Sequence, residues 1–146
     1  MKMYITLSLI LVSLSGFSQE TLDSTAVIEP ITVDTVDLYV INSTNRLIAL
    51  PNEGLTKYAY QYRDLKYLRT MRELKFQNAE AMEKFFGICD KALATDKTLI
   101  TQGYNISRNR LNKNVIRLNN KENGYTLLKR ETLEFMKTEF RSYGTK

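Results

Sequence analysis

The sequence predicts a mainly α protein: an extended long helix, or a helical hairpin or coiled coil, following a flexible acidic tether. Three observations point that way. Between Leu55 and Ala94 apolar side chains recur every three or four positions without an intervening proline. Both prolines, Pro30 and Pro51, lie in the first third, and none follows Asn52, where ordinary usage would place about five. Tyr104, Leu111, Leu118 and Tyr125 then fall at seven-residue intervals with Val115 between them, the spacing of a coiled-coil seam.

Residues 1–18 carry Lys2, the apolar run Tyr4 to Leu14, and small residues at Gly16 and Ser18, the pattern of a secretory signal peptide that leaves Gln19 as the mature N-terminus. An uncleaved membrane anchor is the alternative. The apolar stretch Tyr4 to Phe17 would reach only about 21 Å as helix, against roughly 30 Å of hydrocarbon core. The chain is therefore expected to be exported, periplasmic or secreted. Residues 19–37 read as an acidic Thr/Ser-rich tether, in which Asp23-Ser24-Thr25 and Asp34-Thr35-Val36 resemble O-glycosylation tripeptides. Residues 38–52 read as a short ordered linker or a strand, and Pro51-Asn52-Glu53-Gly54 as a turn that starts the helical region 53–146.

In that region Leu55, Tyr58, Tyr62, Leu65 and Leu68 form one helical stripe, and Met71, Ala79, Met82, Phe86, Cys89 and Leu93 form a second, rotated one. A single rod would be roughly 60 Å long, more than the rest of the chain can cover. Tyr58, Tyr62, Leu65, Leu68, Met82, Phe86, Leu93, Leu111 and Leu118 are thus expected to form a helix interface, within the chain or between copies. Arg69 with Glu73 and Glu80 with Lys84 are spaced for pairing on the solvent face. Cys89, inside the stripe, reads as a small buried hydrophobe.

The third segment admits a second reading. Thr98 to Ser107 can be a strand, Val115 to Asn119 and Tyr125 to Lys129 a hairpin around Asn123-Gly124, and Glu131 to Phe140 a closing helix, which gives an α+β fold with a small three-stranded antiparallel sheet. Seven asparagines between 105 and 123 weigh against helix by about 4 kcal/mol in propensity. Against the strands, Val115-Ile116 and Leu127-Leu128 put apolar groups on both faces.

The chemistry available is narrow. Histidine is absent, cysteine occurs once, and the glycines form no phosphate-binding loop. The chain is expected to be non-catalytic, without cofactor or metal. Charge is its one asymmetry: residues 19–52 carry a net −4, residues 53–100 +2 and residues 101–146 +6. Arg108, Arg110, Lys113, Arg117, Lys121, Lys129 and Arg130 are the candidate contacts to a polyanion, with an anionic envelope surface ahead of nucleic acid for an exported chain.

The order of signal or anchor, tether and extended coiled coil resembles phage spanin-type lysis proteins and other helical cell-envelope adaptors. That resemblance is one of layout and implies a structural or lysis-accessory role that works through protein or envelope contacts. The α+β reading implies instead a module that binds a polyanion through the basic C-terminal third.

Overall fold

Tyr58, Tyr60 and Tyr62 alternate along a nine-residue strand, and all three rings point into the core. A spacing of four satisfies a helical turn and a strand period alike, so Tyr58 and Tyr62 fit either reading; the fully buried Tyr60 between them fits only a strand. This overturns the long helix. In the computed structural model, which describes residues 34–42 and 44–145, the chain forms β1 (Val36–Asn42), β2 (Asn45–Asn52), β3 (Leu55–Arg63), β4 (Met71–Phe76) and α1 (Ala79–Ala94). It continues with β5 (Leu99–Thr101), β6 (Tyr104–Arg108), β7 (Val115–Asn119), β8 (Tyr125–Lys129) and α2 (Arg130–Gly144). The expected signal peptide, its anchor alternative and the tether up to residue 33 lie outside the described residues.

The strands make two four-stranded antiparallel meanders, β1-β2-β3-β4 and β5-β6-β7-β8, each followed by a helix. The fold is α+β, and the ββββα unit occurs twice. In the first sheet Leu47 lies opposite Tyr60 and Ala49 opposite Tyr58, while Phe76 and Leu74 face the same two tyrosines from the other side. Glu53 and Gly54, with φ of 37° and 85°, turn β2 into β3. The Pro51-Asn52-Glu53-Gly54 signal thus marks a hairpin turn in place of a helix start.

Only the second half of the predicted rod is helical. Asn78 caps α1 by accepting from the Ala81 N–H at 2.9 Å. Met82, Phe85, Phe86, Cys89, Ala92 and Leu93 form its buried face, and Lys84 pairs with Glu80 at 2.7 Å. The Arg69–Glu73 helix pair does not form, because Arg69 sits in the β3–β4 loop and Glu73 in β4. Cys89 is buried and free, and burial pushes its thiol well above the usual range.

The coiled-coil seam is likewise replaced by sheet. Leu118 is a core residue of β7, and Leu111 is an exposed loop tip. Three of the seven asparagines counted against helix instead make turns: Asn109 Oδ1 accepts from the Leu111 N–H at 2.8 Å, Asn112 Oδ1 from Asn114 and Asn120 Oδ1 from Glu122 and Gly124. The second reading of this segment names the β7–β8 hairpin at its observed bounds and the closing helix within α2.

Each helix packs more against the sheet of the other half than against its own. α1 lies mainly on β6 and β7, and α2 mainly on β1, so the two repeats share one core. Lys137 of α2 reaches Asp90 of α1 at 2.6 Å, and Arg141 grips Glu83 through two nitrogens at 2.9 and 3.0 Å. The nine predicted interface residues divide accordingly. Tyr58, Tyr62, Met82, Phe86, Leu93 and Leu118 fill the core, whereas Leu65, Leu68 and Leu111 are exposed on loops.

One core group is left without its partner. The Tyr60 hydroxyl is buried with no hydrogen bond of good geometry among the described residues; the Thr126 hydroxyl faces it and offsets only part of the desolvation that drives its pKa far above the tyrosine range. Tyr60→Phe removes that unsatisfied group while keeping the ring. Urea denaturation is expected to show unchanged stability or a gain of up to about 1 kcal/mol; a loss beyond 1 kcal/mol would mean that the hydroxyl is paired.

Candidate polyanion-binding site

β6 and β7 are joined by residues 109–114, a loop shaped by its asparagines. The Asn109 N–H donates to the Val115 carbonyl at 2.7 Å, and the Arg130 N–H ties the loop to α2 through the Asn114 carbonyl at 2.8 Å. This loop and the adjoining outer face of the second sheet enclose a cleft of about 620 Å³. Arg108, Arg110, Lys113 and Arg117 line it with Ser107, Asn109 and Asn119.

The four cations are not equivalent. Arg117 stands on the solvent face of β7, opposite Ser107 and Leu127. Its guanidinium lies 4.0 Å over the Tyr125 ring, and its Nε donates to Asn119 Oδ1 at 2.8 Å. That stacking fixes the charge without neutralising it. Arg110 and Lys113 project from the loop, and among the described residues no carboxylate pairs with either. Arg108 points the other way. It donates to the Leu93 carbonyl near the end of α1 at 3.3 Å and pairs with Asp96, with its side chain only 18% exposed. It therefore closes a helix end, where a cation is favoured. Asp96 is the one carboxylate lining the cleft, and Arg108 occupies it.

The other predicted cations fall elsewhere. Lys121 lies at the opposite end of the second sheet, its stem so close over the β5–β6 turn that a Cβ on Gly103 would sit 2.2 Å from its Cε. Lys129 and Arg130 line a separate cleft of about 650 Å³ beside α2, which they share with Glu131 and with Glu134, the latter held by Lys137 at 2.8 Å. Seven basic residues close in sequence thus form one concentrated positive site of three free cations.

Sequence reasoning missed a polar hub on the far side of the fold. Asp64, at the end of β3, is fully buried. Its Oδ1 accepts from the N–H groups of Lys66, Tyr67 and Tyr125 at 2.9, 3.1 and 3.2 Å, and its Oδ2 accepts from Asn120 Nδ2 at 3.2 Å and Arg72 Nε at 3.3 Å. Burial raises the carboxyl pKa, but these donors outweigh it and hold the group below the usual aspartate range. Gly124 is required beside it, since a Cβ there would lie 1.8 Å from Oδ2. With every lone-pair direction used, the hub ties the two sheets together and leaves no acceptor for a ligand. Among the described residues no group of three or more histidine, cysteine, aspartate or glutamate side chains is placed to hold a metal ion. No protein-family model matches the chain, and neither a curated protein nor a solved structure shows detectable similarity to it.

Proposed function

We propose that this chain is an exported, non-catalytic α+β binding module that meets an anionic component of the cell envelope through the cleft of Arg110, Lys113 and Arg117. The observation that carries this reading is the convergence of three cations on one cleft whose single acidic side chain is already paired. Asn109, Asn119 and Ser107 supply neutral hydrogen-bonding groups beside them, suited to phosphate, sulfate or carboxylate oxygens. Export rests on the sequence of residues 1–18 and places the partner in the envelope ahead of nucleic acid.

Replacing Arg110, Lys113 and Arg117 together by glutamine is expected to lower the salt concentration at which the protein elutes from heparin. The slope of log affinity against log salt should fall by roughly one for each cation lost. Lys129→Gln with Arg130→Gln should change elution little, because both residues lie outside the cleft lined by Arg110, Lys113 and Arg117. Arg108 is left intact, since its removal would mix loss of a helix-end contact with loss of binding. Unchanged elution of the triple variant would reduce the cleft to a solvated face.

A further inference from the structure

The β3–β4 loop, residues 64–70, turns the Asp64 carboxylate and backbone amides inward and its apolar side chains outward. The Asp64 N–H donates to the Thr70 carbonyl at 3.0 Å, the Thr70 N–H to Tyr67 at 2.7 Å and the Leu65 N–H to the Tyr125 carbonyl at 2.8 Å, while the Asp64 carboxylate holds the Lys66 and Tyr67 amides from inside. The backbone is thereby fixed. Outside it, Leu68 is 62% exposed, Met71 51%, Tyr67 42% and Leu65 39%. Four large apolar side chains within seven positions are the opposite of what a solvent loop carries.

The unpaired charges around these groups have one sign. Arg63, Lys66 and Arg69 are exposed, and among the described residues no carboxylate pairs with them. Lys66 instead sits 5.1 Å over the Tyr67 ring. Of the nearby carboxylates, Asp64 and Glu122 are engaged by Arg72, and Glu73 by Gln61 and Lys75. An apolar tip ringed by free cations matches one kind of surface, apolar in its interior and anionic at its rim.

We infer that the β3–β4 loop docks on an anionic lipid bilayer, with Leu65, Tyr67, Leu68 and Met71 entering the headgroup–acyl boundary and Arg63, Lys66 and Arg69 meeting lipid phosphates. This inference is independent of the basic cleft, which lies on the β6–β7 loop at the other end of the second sheet from the β7–β8 turn that Leu65 contacts. Because the loop is already ordered, docking costs little conformational entropy.

The chain contains no tryptophan, so an introduced one reports alone. A Leu68→Trp probe in the full chain is expected to shift its emission to the blue and become shielded from an aqueous quencher with phosphatidylglycerol–phosphatidylcholine vesicles, and not with phosphatidylcholine alone. Adding Lys66→Gln and Arg69→Gln should weaken the response about thirtyfold. A Leu55→Trp probe, at the start of β3 and the other end of the first sheet, should stay in water, which separates docking by this loop from any contribution of residues 1–18. The triple cleft variant should keep the Leu68→Trp response even where heparin binding is lost. A Leu68→Trp probe that stays in water with anionic vesicles would overturn the inference and leave the loop to a protein partner. Equal shifts with neutral and anionic vesicles, or at both probe positions, would overturn it too.

Discussion

Asp64→Ala is expected to destabilise the fold by about 3–5 kcal/mol, the cost of breaking a buried charged network from one side. Five donors converge on its two oxygens, and all would be left facing a cavity. Asp64→Asn keeps the volume but offers one acceptor oxygen, and its amide would meet donors head-on at the other. About half the loss is expected there. The sign of the pH dependence follows from the lowered carboxyl pKa. The stabilisation is complete above the unfolded value near pH 4 and is lost as pH falls through the lower folded value. Chemical denaturation at pH 7 and pH 3 should therefore show a large gap between wild type and Asp64→Asn that narrows at pH 3. A gap constant with pH, or a loss under 1 kcal/mol at pH 7, would mean that the carboxylate does not tie the sheets together.

How much of this was legible in the sequence depends on the range of the interaction. Local signals read correctly where one period dominates. Met82, Phe86, Cys89 and Leu93 mark a helix because no alternation of period two competes, and they form the buried face of α1. Asn123-Gly124 marks the β7–β8 hairpin only in the second reading of its segment, because the seven-residue spacing from Tyr104 to Tyr125 competes with it. Tyr58 and Tyr62 could not decide their own element, and the absence of proline tipped them toward helix although proline is excluded from central strands as firmly as from helix interiors. Seven asparagines count as a cost to helix, whereas three of them, Asn109, Asn112 and Asn120, have a positive role in accepting from a backbone N–H two to four residues on.

Pairings across the fold left no trace in sequence. Asp64 sits in a run of basic and apolar residues, and its partners Asn120 and Tyr125 lie 56 and 61 positions away. The basic third was legible as charge and not as geometry. The length of β7 separates Lys113 from Lys121, and strand pairing turns Arg108 toward the helix end while Arg110 and Lys113 stay free. Leu65 and Leu68 fit a helical stripe in the sequence, yet these exposed leucines acquire meaning only once the buried Asp64 is seen to hold their loop in place.

The same division sets the last expectation. Leu118 and Leu111 occupy equivalent positions in a seven-residue repeat, and a seam would make them cost alike on substitution. In the fold Leu118 is fully buried between Ile106 and Thr126 on β7, and Leu111 is 99% exposed. Leu118→Ala is expected to cost about 2–5 kcal/mol, because the close packing of β6, β7, β8 and α1 around it leaves a cavity that only partly collapses. Leu111→Ala should stay within about 0.5 kcal/mol of wild type. Both should leave the sedimenting mass of the folded protein unchanged, and the urea midpoint should fall without a change of slope for Leu118→Ala. Similar losses in the two variants, with a midpoint that depends on protein concentration, would restore the seam and remove the second sheet. A loss confined to Leu118 follows from the sheet alone, since only there do neighbours in the repeat face opposite environments.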